Sequence, residues 1–154
     1  MGGVNTQAAQ DGFNEVAVIK ASQLTETASA TAQTIDIAKI PADAYVEKVS
    51  YYLIDEMDGG SVSALTVTLG DEDDADGYVT AKSILAGATP VSSAINDGAY
   101  LNDGTTANTV NGKHYDNASE KTLQAVFTPT GDSLANINEG KILIKAKIVD
   151  LSLN

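Results

Sequence analysis

The chain contains no cysteine and no tryptophan, and all nine of its basic residues are lysine. Without cysteine there is no disulfide framework, no thiolate metal site and no thiol nucleophile. Without arginine there is no planar fork to read phosphate or guanine, and 21 acidic residues give a net charge of −12. Nucleic acid and anionic membrane are therefore poor partners for it. Aromatic residues make up 5% of the chain, so the core must be built from Val, Ile, Leu and Ala. One histidine, His114, rules out a histidine-rich metal centre and leaves one imidazole as a candidate base. It lies in NGKHYDN, beside a turn signal, where a solvated loop residue is the expected reading. No G-x-S-x-G elbow accompanies it. The N-terminal stretch MGGVNTQAAQDGFNE has neither a basic nor an apolar signal region, so no signal peptide is expected. No apolar run approaches the roughly 20 residues that cross a bilayer.

The sequence is rich in period-two alternation. Hydrophobic residues amount to 43% of 154, enough for one domain with its own core. Strands are expected over Glu15–Ser22, Thr34–Ile40, Tyr45–Asp55, Ser63–Gly70 and Lys121–Thr128. Each places apolar side chains on one face: Ile35 and Ile37; Val49, Tyr51 and Leu53; Leu65, Val67 and Leu69; Leu123, Ala125 and Phe127. Tyr51 and Tyr52 then point to opposite faces, one into the core and one to the surface. In the last strand Ile142, Ile144, Ala146 and Ile148 share a face, with Lys141, Lys145 and Lys147 opposite. After Ile148 the apolar parity passes to Val149, Leu151 and Leu153, which suggests a bulge or a strand that changes sheets. Half-buried strands of this kind belong to antiparallel sheets. The expected fold is an all-β antiparallel sandwich, jelly-roll-like, of about seven or eight strands. Its core should include Leu65, Val67, Leu69, Leu123, Phe127, Ile142, Ile144 and Ile148.

Turn chemistry separates the runs. Pro41-Ala42-Asp43 parts two strands, and Asp58-Gly59-Gly60 is expected to close a hairpin. The segment Val79–Leu85 (VTAKSIL) predicts one short helix, capped by Asp74 or Asp76. Residues 1–14 read as an N-terminal arm and 15–154 as the domain. A long excursion at 86–120, with weak strands around Ala99–Leu101, is expected to pack on something. Within the arm, Asn5, Gln7, Gln10 and Phe13 are candidate partner-binding side chains. Lys141, Lys145 and Lys147 are the candidates on the last strand.

The sharpest polar cluster is Asp71–Gly77 (DEDDADG). Read as a calcium loop, Glu72, Asp74 and Asp76 take the first, third and fifth positions. The twelfth position is then Ser83, where a bidentate glutamate is required. The expectation is a solvated loop with no required metal and no cofactor, Glu72, Asp74 and Asp76 being a weak Ca²⁺ candidate at most. No phosphate loop is present. Nothing in the residues points to an enzyme.

Three features stand in a row: Ile40-Pro41-Ala42-Asp43-Ala44 before a long strand, then LTVTLGDEDDADGY, then VTAKSIL. This arrangement resembles the small β-sandwich structural proteins of tailed bacteriophages found among head decoration and other virion components. The matching positions are Pro41, Ala42, Gly70, Asp71, Asp76 and Gly77, and Asp43 stands where the turn of that group has glycine. The resemblance covers roughly residues 30 to 90 and the final strand. It implies a virion structural protein made in the host cytoplasm, most simply a capsid decoration or cement protein on the outer face of the head shell. It also implies the major capsid protein and further copies of the chain as partners, in a homotrimer. The alternative is a tail or fibre-associated adhesin that binds a host surface glycan. A third reading is a cation-dependent hydrolase built on Asp71–Asp76.

Overall fold

A computed structural model describes residues 12–95, 97–100, 112–116 and 119–153. The strands among them are β1 (Glu15–Lys20), β2 (Gln33–Ile40), β3 (Asp43–Asp58), β4 (Ala64–Gly70), β5 (Val79–Ser83), β6 (Ser93–Ile95), β7 (Lys113–Asp116), β8 (Lys121–Thr130) and β9 (Glu139–Asp150). Short 3₁₀ turns at Ala21–Gln23, Leu134–Asn136 and Leu151–Leu153 are the helical elements among the described residues.

The strands form two antiparallel sheets. One runs β1-β9-β3-β6, with β7 also pairing β3; the other runs β2-β8-β4-β5. Since β9 occupies one edge of β3, β6 and β7 follow one another along the other edge, at Ser50–Tyr52 and Asp43–Val46. The pairings are nested: β1 with β9, β2 with β8, β3 with β6 and β7, β4 with β5. A long double-stranded hairpin wound so that alternate pairs fall in opposite sheets gives this order, which is the jelly-roll topology.

The inner faces follow the alternation of the sequence. Leu65, Val67, Leu69, Leu123, Ala125 and Phe127 line one sheet, and Val49, Tyr51, Leu53, Ile142, Ile144 and Ala146 the other. All are buried, as is Ile148. Tyr51 donates its hydroxyl to the Val91 carbonyl at 2.7 Å, while Tyr52 on the opposite face is 53% exposed.

Three expectations are corrected and a fourth is decided between its two alternatives. Val79–Leu85 is no helix: Val79–Ser83 forms β5, which pairs β4 through Thr66↔Ser83, Val67↔Lys82 and Leu69↔Val79. The otherwise unpaired edge of β4 offers this stretch ladder hydrogen bonds, interrupted by an irregularity between Val67 and Leu69, and seven residues of weak helix propensity cannot compete with them. Asp58-Gly59-Gly60 closes no hairpin, because β3 and β4 lie in different sheets; the turn is an arch across the sandwich. Ala99 and Tyr100 form a turn, Leu101 lies outside the described residues, and the strands of the excursion among the described residues lie at Ser93–Ile95 and Lys113–Asp116. The parity change after Ile148 is not a change of sheet. β9 ends at Asp150 and the chain turns into Leu151–Leu153. The bulge opposite it belongs to β3, where Val46 pairs Ile148 and Lys48 pairs Lys147, leaving Glu47 unmatched.

Candidate functional site

The acidic loop after β4 folds back around a buried Asp71, while Glu72, Asp73 and Asp76 stay exposed. Asp71 is 2% exposed. Its Oδ1 accepts the backbone amides of Asp73 at 2.9 Å and Asp74 at 3.0 Å, and the Tyr100 hydroxyl at 2.8 Å. Its Oδ2 accepts the Tyr115 hydroxyl at 2.6 Å, with the Lys113 ammonium 4.0 Å away. The Tyr78 and Tyr115 hydroxyls are hydrogen-bonded to each other. Lys113 lies 3.3 Å from the Tyr100 ring centroid. Burial pushes the hydroxyls of Tyr78, Tyr100 and Tyr115 far up, so they stay protonated and donate. Burial alone would raise the Asp71 carboxyl. The bonds from Tyr115 and Tyr100, with the two amides, outweigh it and hold the carboxyl below its ordinary value.

The local sequence explains the closure. A β-carbon on Gly70 would run into the backbone of Asp74 and Ala75, and one on Gly77 into the Tyr100 ring. Glycine at both ends of the loop lets it fold back on itself while Tyr100 lies against it. The loop thus ties the excursion, through Tyr100, Lys113 and Tyr115, to the end of β4.

The calcium candidates do not converge. Glu72 accepts the Thr122 amide at 3.0 Å. Asp74 accepts the Asp76 amide at 3.4 Å, and the hydrogen bond between their side chains raises the Asp76 carboxyl. Among the described residues no group of three acidic, histidine or cysteine side chains is placed to hold a metal ion. His114 is exposed, with Nε2 3.1 Å from Asp43 Oδ1.

The partner-binding candidates separate into two sets. Asn5, Gln7 and Gln10 lie outside the described residues. Phe13 is 6% exposed within the chain itself, lying beneath the ammonium groups of Lys48 and Lys145 at 5.3 and 4.5 Å from its ring centroid. Asn14 extends the β1 ladder: its amide donates to the Ala146 carbonyl at 2.9 Å, and its side chain bonds both the amide and the carbonyl of Ile148. Lys141, Lys145 and Lys147 share the outer face of β9 with Leu143.

That face continues across the sheet, and here the sequence reading fell short. Val18 pairs Leu143, Leu143 pairs Tyr52, and Ser50 pairs Ile95. The exposed apolar side chains Val18, Tyr52, Ile54 and Ile95 therefore belong to one sheet. A groove of 350 Å³ runs between Phe13, Tyr52, Ile95 and Lys145. A second of 690 Å³ lies at the other end, lined by Ile54, Asp55, Glu56, Asp58, Ala86, Glu139 and Lys141. The outward parity of Tyr52 and Ile54 was legible in β3, but not that β1 and β6 would continue their row.

No protein-family model matches the chain, and no curated protein matches it. Solved structures do. A chain of the cyanophage Pam1 capsid asymmetric unit aligns with a TM-score of 0.54 at 18% identity, covering 90% of this chain and 86% of that one. A chain from the acidic stable capsid structure of Helicobacter pylori bacteriophage KHP30 aligns at 0.50 and 16%, covering 90% of each. At these identities the likeness is one of fold: the chain shares its two-sheet architecture with chains of phage capsid structures.

Proposed function

We propose that the chain is a structural component of a phage virion, a decoration or cement protein that binds the major capsid protein on the outer face of the head shell as a homotrimer. The observation that carries this reading is the nested two-sheet fold, alike over nine-tenths of the chain to chains of phage capsid structures. The chemistry agrees with it. The polar cluster around Asp71 spends its donors and acceptors on holding loops together, which suits a protein that acts by occupying a place. A charge of −12 favours a water-facing position over contact with the packaged genome. Local three-fold positions of a lattice accept a trimer.

The test is to mix the purified full chain with undecorated heads of the phage that encodes it. Saturable binding at a fixed ratio to the major capsid protein, with a rise in the melting temperature of the shell, is the expected result. No binding to shells, or recovery of the chain only with tails, would overturn the decoration reading.

A further inference from the structure

Nine lysines serve a chain with 21 acidic residues, yet their pairing is uneven. Lys39, Lys82, Lys113 and Lys121 each have a carboxylate partner within 4.0 Å. Among the described residues Lys20, Lys48, Lys141, Lys145 and Lys147 have none, and all five lie on the outer face of the β1-β9-β3 sheet. Carboxylates at one end of that face are unpaired as well: Asp55, Glu56 and Glu139 have no lysine within 4.0 Å among the described residues.

The order along the strands is regular. Lys48, Lys145 and Lys147 form one end, with the first two held over the Phe13 ring. The middle is apolar: Val18, 41% exposed, Leu143, and Tyr52, 53% exposed. The far end is a carboxylate-rich groove of Asp55, Glu56, Asp58 and Glu139; Lys141 lines it opposite Asp55, with Lys20 beside it on β1, so four carboxylates there outnumber two lysines. A face that reads basic, apolar, acidic is complementary to a copy of itself set head to tail. An exposed apolar band flanked by unpaired charges of both signs is the pattern of a covered surface rather than a solvated one.

We infer that this face is the contact between copies of the chain, the lysine end of one meeting the carboxylate end of the next, with the apolar bands brought together between them. The number of copies, three, rests on the trimer reading above. In a closed ring each copy turns this face to the axis and meets one neighbour at each end, as a heterologous contact requires.

The test uses the full chain in sedimentation velocity and light scattering. Reversing one end (Lys145→Glu with Lys147→Glu) should raise the dissociation constant about tenfold or more, as should reversing the other (Glu56→Lys with Glu139→Lys). Carrying all four substitutions in one chain should restore the wild-type mass. Tyr52→Ala, at an exposed position, should weaken assembly without lowering the melting temperature, and serves if a reversal variant fails to fold. Raising salt from about 0.1 M to about 1 M, which shortens the screening length from about 10 Å to about 3 Å, should weaken the wild-type contact. A monomeric wild-type chain, unaltered mass in the reversal variants, or no recovery in the combined variant would overturn the inference. A two-copy wild-type assembly would overturn the ring. Shell binding is measured separately, so a monomer that still binds heads would sink this contact and leave the decoration reading standing.

Discussion

The Asp71 carboxylate has two amides and two tyrosine hydroxyls aimed at it in a buried setting. Asp71→Asn removes the charge and leaves some of these donors poorly matched. The expected loss is about 2–4 kcal/mol, read as a lower urea midpoint. The pH dependence has a definite sign. The folded carboxyl lies below its ordinary value, so its contribution is fully present above the unfolded carboxyl's value of about 3.9 and is lost as pH falls through the lower folded value. Melting temperature in the wild type should therefore drop on acidification below about pH 4, and part of that slope should vanish in Asp71→Asn. An identical slope in the variant would remove Asp71 from the account. The residue was visible in the sequence as one member of DEDDADG. Its burial was not, because the tyrosines that cover it arrive from positions 100 and 115.

At the scale of elements, β3 decides how the sheet faces are assigned. Its inward set begins with Ala44 and Val46 and continues with Val49, Tyr51 and Leu53, a change of parity that the unmatched Glu47 makes possible. Period two means that a one-residue slip turns every following side chain to the other face. Glu47→Ala should be tolerated within about 0.5 kcal/mol, since the side chain is exposed. Deletion of Glu47 should prevent folding, as seen by circular dichroism and protease sensitivity. A deletion variant as stable as the substitution would show that β3 can shift register freely. The runs Ser63–Gly70 and Lys121–Thr128 were legible as strands because their alternation is uninterrupted. The segment Val79–Ser83 was not, because its state depends on the free edge of β4.

For the whole molecule the nested pairing joins distant parts of the chain. The first described strand pairs the last, and β9 stands between β1 and β3. Contacts of such sequence separation make folding slow, on the millisecond-to-second scale. Stopped-flow refolding should show it, and a chain that ends before Glu139 should lack a cooperative unfolding transition. A shortened chain that unfolds cooperatively would mean that the remaining strands form a domain of their own.

Alternation of apolar and polar residues by itself determined the fold class and the inward faces, because side-chain parity in a strand is a local property. It placed Leu65, Val67, Leu69, Leu123, Phe127, Ile142, Ile144 and Ile148 in the core, where each is buried. It also set the lysines of the last strand opposite its isoleucines. Composition determined the charge and the absence of thiol chemistry. Tertiary structure decided what local pattern cannot: that 79–83 is a strand, that the glycine turn at 58–60 spans two sheets, and that Phe13 is covered by the chain's own lysines. It decided as well which exposed residues share a surface. Each of these depends on which strand lies beside which, and neighbours in a nested sandwich are fixed by the closure of the core rather than by any segment alone.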